Sequence, residues 1–338
     1  MPEISLLLVV AVAIALIFDL VNGFHDAANS IATVVSTRVL RPYTAVLWAA
    51  FFNFIAMFLF APRVADSISK IVKIDPNDTV YVLVVLLGLL SAVIWDLLTW
   101  WWKLPTSSSH ALIGGFSGAG LAHGGWEALY WEKIGEILAF IFLAPLMGFA
   151  IGFLLMLAFS WLLRRWRPAK VDSVFRIGQL FSAALYSIGH GANDAQKTMG
   201  IIMALMFAAG HLPMDTQLSL LNSQTLWIIL SCQLAMALGT AFGGWRIVKT
   251  MGMRITKLQP VGGFCAETAG TCTLFFATIF GIPVSTTHTI IGSIIGVGSL
   301  GNKLSCVKWG VAARIVWAWI FTLPATALLS ALLYYVIA

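Results

Sequence analysis

Residues 105–118 read PTSSSHALIGGFSG, and residues 283–296 read PVSTTHTIIGSIIG. The two align without a gap at an offset of 178, with six of fourteen positions identical and three more exchanging Ser for Thr or Leu for Ile. A second repeated element lies upstream of each: Gly23-Phe24-His25-Asp26-Ala27-Ala28-Asn29 matches Gly191-Ala192-Asn193-Asp194-Ala195-Gln196-Lys197 at an offset of 168. The same two motifs therefore occur twice in the same order, which predicts a duplicated architecture.

Around these motifs the chain is apolar. Of its 338 residues 60% are hydrophobic and only 10% charged, against roughly 25% charged in soluble domains. So few charges cannot coat a water-facing surface, which excludes a soluble enzyme and a disordered chain. Long apolar runs in place of short alternating strands exclude a transmembrane barrel. A spanning helix takes about 20 residues, and hydropathy cuts the chain into ten segments: 4–36, 43–61, 79–102, 104–122, 135–163, 178–210, 225–244, 259–281, 283–300 and 310–337. The run Ile4 to Leu20 follows Glu3 instead of a basic region and leads into a polar motif, so it reads as a retained helix and not a signal peptide.

With the N-terminus outside and each segment crossing once, fifteen Lys and Arg fall inside, among them Arg38, Arg41, Arg164, Arg165, Arg167, Lys170, Arg254 and Lys303. Four fall outside: Arg63, Lys70, Lys73 and Lys133. That bias fits the positive-inside rule and accounts for the net charge of +6 without nucleic acid, for which no basic and aromatic patch exists. Five crossings per half invert the second copy. The expected organisation is a first repeat over 1–163, a cytoplasmic linker over 164–177 and an inverted repeat over 178–338. The fold class is thus an all-α integral membrane protein of about ten transmembrane segments in two inverted-topology repeats, with broken or half helices at the midplane, the sequence mark of a secondary transporter. Cys232, Cys265, Cys272 and Cys306 have no metal or redox spacing and read as small buried hydrophobes.

The motifs carry the chemistry. Asp26 and Asp194 interrupt apolar runs, and an ionised carboxylate at bilayer depth must line water or meet a cation. Gly23 is expected to break the first helix; a capped kink is the plainer alternative. Each Pro-x-Ser-Ser/Thr-Ser/Thr-His run reads as a helix N-terminus whose free N–H groups and dipole favour an anion. Ser107, Ser108, Ser109, Ser285, Thr286 and Thr287 supply hydroxyl donors, and two such ends arriving from opposite sides would surround a tetrahedral oxyanion. Plain N-capping explains one such motif equally well, two symmetric copies less well. His25, His110, His190 and His288 read as structural, with proton handling the next alternative and no close ligand pair for a tight metal. Glu267, after the Gly262-Gly263-Phe264-Cys265-Ala266 break, is a candidate for coupling. Asp96, near the Trp100-Trp101-Trp102 interface anchors, reads as an interfacial or interhelical hydrogen bond, and Asp19 also lies at membrane depth.

Taken together, the stretch from Asn22 to Arg38, the run His190 to Lys197 and the two Pro-x-Ser-x-x-His motifs resemble the inorganic phosphate transporter (PiT) family over essentially the whole chain. The resemblance implies alternating access in the cell membrane, moving inorganic phosphate, free or as a metal complex, with a cation and no cofactor, in a homodimer. By position it gives Asn29, Ser107, Ser108, Ser109, Asn193, Ser285, Thr286 and Thr287, with Asp26 and Asp194, the substrate and coupling roles. Sodium-coupled members repeat an Asn-Asp-x-Ala-Asn motif in both halves. This chain has His25 in the first and Gln196-Lys197 in the second, which resembles the proton-coupled bacterial branch. Lys197 supplies a fixed positive charge where a sodium ion would sit, so proton coupling is expected, with sodium the alternative ion. Rival readings are a transporter of another oxyanion such as sulfate, a channel, or an intramembrane hydrolase, which lacks a nucleophile and base at convincing spacing.

Overall fold

The computed structural model describes residues 5–68, 71–73, 80–300 and 307–338. Among them it is helical, with one isolated bridge between Val72 and Leu129 and no strand. The helices are α1 (Leu6–Ser36), α2 (Pro42–Ile55), α3 (Arg63–Ile68), α4 (Tyr81–Trp101), α5 (Ser108–Gly124), α6 (Trp131–Leu162), α7 (Pro168–Ala208), α8 (Ser223–Phe242), α9 (Trp245–Arg254), α10 (Pro260–Ile279), α11 (Thr286–Ser299) and α12 (Trp309–Ile337). Each predicted segment holds one of them. The short α3 and α9 were not foreseen, because neither is long or apolar enough to stand out. The stretch expected as a linker, 164–177, is helical from Pro168, whose ring suits the first helical position.

Five helices, α1, α4, α6, α8 and α12, are long and apolar enough to cross a bilayer. At 41 residues α7 has the length, but its middle is the polar second motif. With 17 and 14 residues, α5 and α11 rise about 25 and 21 Å, short of a ~30 Å hydrocarbon core. Both begin inside the protein, after the buried stretches Pro105 to Ser107 and Ile282 to Ser285.

The expected breaks are absent. Helix α1 runs unbroken through Asn22 to Ser30, α7 through His190 to Lys197, and α10 through Gly262 to Glu267. In lipid an opened backbone strands its polar groups, and the glycines serve close approach instead. A Cβ on Gly23 would strike the Met236 carbonyl of α8, and one on Gly191 the Asn53 backbone of α2.

Packing crosses between the halves. Gly114 and Gly118 of α5 lie against Leu323, Thr326, Ala327 and Ser330 of α12; Gly292 and Gly296 of α11 lie against Pro145 and Phe149 of α6. Both long outer helices carry an internal proline, Pro145 and Pro324, and expose Phe142, Leu146, Trp161, Trp317, Phe321 and Leu328, a surface suited to lipid. Trp101 and Trp102 are likewise exposed, with Arg246 stacked over Trp100 and Trp101. Cys232 and Cys265 are buried, whereas Cys272 is exposed on the outer face of α10, contrary to expectation. Cys306, Lys70 and Lys303 lie outside the described residues.

Candidate functional site

Helices α1 and α7 pack against each other and bring Asp26 and Asp194 to the interior, where the turns before α5 and α11 also arrive. Lys197 is the link. Its Nζ donates to Ser109 Oγ at 2.6 Å and to the Val284 carbonyl at 2.9 Å, and it pairs with Asp194 one helical turn away. All three ammonium donors thereby have partners. Thr286 Oγ1 stands 3.0 Å from Asp194 Oδ2 and 3.4 Å from Asp26 Oδ2, bridging the two carboxylates, while Thr287 Oγ1 is 3.4 Å from Asp26 Oδ2. Asn29 Nδ2 donates to Thr286 and Thr287 at 3.2 and 2.9 Å. Asp26, Asn29, Ser109, Asp194, Lys197, Thr286 and Thr287 thus form one buried cluster drawn from four helices.

Imidazoles flank both carboxylates. His25 Nδ1 lies 2.8 Å from Asp26 Oδ1, and His190 Nε2 lies 3.2 Å from Asp194 Oδ2. Asp26, His190 and Asp194 each offer a ligand atom within 4.8 Å of the others, a set of groups of the kind that holds a cation. Two carboxylates and one lysine leave one negative charge for a proton or a bound cation to balance, in a medium that makes unpaired charge costly.

The other candidates lie elsewhere. Ser107 and Ser285 are the N-caps of α5 and α11, their Oγ atoms accepting from the backbone N–H of His110 and His288 at 3.3 and 3.2 Å. Ser108 of α5 faces Asp96 of α4, which is buried beside His25, so of its two expected placements the interhelical one holds and the interfacial one does not. Asn193 turns to the turn before α11, donating to Thr278 Oγ1 and the Ile282 carbonyl, both at 3.3 Å. Glu267 sits apart from the cluster, accepting from Thr33 at 2.6 Å, Gln179 at 2.9 Å and Ser182. The His110 and His288 rings meet edge to face at 4.4 Å.

Several contributors escaped sequence reasoning. Tyr186 donates its hydroxyl to the Thr286 carbonyl at 3.0 Å, holding the α11 end on α7. Asn53, buried in α2, stands 3.2 Å from His190 Nδ1 and donates to Thr240 at 2.8 Å. A lone polar residue inside the apolar run of 46–59 was the available signal. A cavity of about 400 Å³ lies at the α2–α3 connection, lined in part by Phe60, Gln196, Leu218 and Gln233. There Gln196 ties α7 to that connection, accepting from Val64 N at 3.0 Å and donating to the Ala61 carbonyl at 3.2 Å.

Residues 22–330 match the family model described as "Phosphate transporter family". Among similar curated proteins, one of Rhizobium meliloti (strain 1021) is 54% identical over 97% of this chain and 96% of its own length, and one of Bacillus subtilis (strain 168) is 42% identical over 99% and 98%. Both carry the name "Probable low-affinity inorganic phosphate transporter". A solved structure titled "The sodium-dependent phosphate transporter" superposes with a TM-score of 0.88 over 98% of this chain and 99% of that one. At 24% identity it shares the fold.

Proposed function

The chain belongs to the phosphate transporter family, and from that premise we propose that it imports inorganic phosphate across the cell membrane by proton-coupled symport with alternating access. It is a membrane transporter and not an enzyme. The observation that carries the reading is Lys197, held between Asp194 and Ser109 where the α5 and α11 ends converge. Ser109, Thr286, Thr287 and Asn29 supply neutral donors, Lys197 the fixed positive charge, and Asp26 and Asp194 the acceptors. Such a site prefers an anion that also donates a hydrogen bond: protonated phosphate can give one to a carboxylate, whereas sulfate at neutral pH only accepts.

Proton coupling is supported by the position of His25. His25 places Nδ1 2.8 Å from Asp26 Oδ1 and Nε2 3.2 Å from Thr99 Oγ1, so one ring nitrogen faces the carboxylate and the other a hydroxyl, an arrangement suited to passing a proton to or from Asp26. With Lys197 in place of one cation, protons on such groups balance the arriving phosphate. The Asp26, His190 and Asp194 triangle also favours phosphate arriving as a complex with a divalent cation. Glu267, on the α1, α7 and α10 side of the site, is the next station for the coupling ion.

The helix order supports the inverted-repeat reading. Among the described residues six α-helices, α1 to α6, are followed by six of matching rank, with Pro145 and Pro324 the fifteenth and sixteenth residues of the last of each set. The repeats are 1–163 and 178–338, joined by the cytoplasmic segment 164–177, both termini lie outside, and the transporter is a homodimer. The test is uptake into proteoliposomes with pH and sodium gradients imposed separately. An inward proton gradient should drive phosphate without sodium, arsenate should compete, and excess sulfate should not. Uptake that needs sodium and ignores pH would overturn the coupling; strong sulfate competition would overturn the substrate.

A further inference from the structure

Two residues that touch none of the candidate anion donors make the same connection in the two halves. His25 of α1 reaches Thr99, at the end of α4, at 3.2 Å, and Thr106, just ahead of the α5 cap, at 3.5 Å. Asn193 of α7 reaches Thr278, at the end of α10, at 3.3 Å, and accepts from the backbone N–H of Val284, just ahead of the α11 cap, at 3.4 Å. The correspondence is positional throughout. His25 and Asn193 are 168 apart, as the motifs are; Thr99 and Thr278 are 179 apart, and Thr106 and Val284 are 178 apart. All six residues are buried. Asn193 adds a bond to the Ile282 carbonyl at 3.3 Å, and Thr106 adds one to Thr99 at 2.9 Å, so each turn is stitched twice.

We propose that His25 and Asn193 are equivalent pins: positioning residues that fix the turns leading into Ser109 and Thr286–Thr287 to the helices carrying Asp26 and Asp194. The turns leave the backbone of Thr106 and Val284 outside any helix, buried, and next to the oxyanion donors. Without a side chain holding each turn, the hydroxyls at the starts of α5 and α11 and the carboxylates of α1 and α7 would not keep the fixed spacing that anion recognition requires. An amide does this job in one half and an imidazole in the other. The pin therefore needs a donor of suitable reach and not a titratable group. The imidazole's contact with Asp26 is an addition: Asn193 has no matching bond to Asp194, which receives His190 instead.

The inference rests on the cluster being the phosphate site, and two readouts separate the two claims. The first, hydrogen–deuterium exchange of the purified protein, requires no substrate. His25→Ala should speed exchange over 104–111 and leave 282–289 unchanged; Asn193→Ala should do the reverse. Thr99→Val and Thr278→Val, nearly isosteric, should each reproduce the effect of their partner. His25→Asn should return 104–111 to the wild-type rate. The second readout is equilibrium binding of radiolabelled inorganic phosphate. Each alanine variant should bind about tenfold more weakly, the scale expected for losing a buried hydrogen bond, and His25→Asn should recover most of that loss. Unchanged exchange in both alanine variants, or a His25→Asn variant as loose as His25→Ala, overturns the pins whatever phosphate does. Local exchange changes as described, in a protein that binds no phosphate, would leave the pins standing and overturn the site assignment.

Discussion

The buried Lys197–Asp194 pair makes opposite demands on folding and transport. Removing one member of a buried ion pair strands the other, at a cost of about 3–5 kcal/mol, whereas removing both charges is far milder. Lys197→Met should therefore lower the melting temperature of the extracted protein sharply, and the double variant Lys197→Met/Asp194→Asn should recover much of that loss while still failing to accumulate phosphate. Thermal denaturation and uptake on the same preparations check both halves of the statement. Asp26→Asn, which keeps an acceptor for Thr287 but loses the charge, should fold and fail to transport. The sequence made the seven-residue cluster legible in outline, because symmetry singled out both Asp and both hydroxyl runs. It could not say which hydroxyl of a run faces inward. Ser107 and Ser109 stand two residues apart at a helix start, and only the φ and ψ of the cap decide that the first turns back to its own backbone while the second meets Lys197. For Asn193 the direction of the amide was equally invisible.

Among the elements, the glycines taught the clearest lesson. A hinge and a close contact both require the absence of a Cβ, so Gly23 and Gly191 read alike for either purpose; the neighbouring helix, which the local sequence does not name, decides. Gly23→Ala and Gly191→Ala should each destabilise the extracted protein by roughly 1–3 kcal/mol, the range for overpacking a filled core, since the new methyl meets backbone that cannot step aside. Gly135→Ala in α6, with nothing within 4 Å of the added carbon, should leave the melting temperature unchanged. Were flexibility at Gly23 the requirement, its alanine variant would lose transport with no loss of stability. Helices α3 and α9 were illegible for a different reason. Six and ten residues long, they take their place from the larger helices they cover, as α9 does by burying Ile247, Val248 and Met251.

For the molecule as a whole, hydropathy and charge were enough to locate most helices, and the charge bias makes a prediction about sides. A single-cysteine label at 165–170 or 250–254 should react only from the cytoplasm and one at 213–220 only from outside; reaction of both from one face would break the inverted arrangement. What hydropathy could not show is that the halves are interleaved. Because α5 beds its glycines on α12 and α11 beds its own on α6, neither half completes its packing alone. During synthesis the glycine-lined face of α5 emerges about 190 residues before the helix that fills it. Until then the nascent protein leaves the groove over Gly114 and Gly118 uncovered, a feature that quality-control proteases can recognise. Separately expressed fragments 1–165 and 166–338 should therefore each be degraded, and co-expression should rescue both and restore uptake, so that the cell in effect inspects α12 before it retains α5.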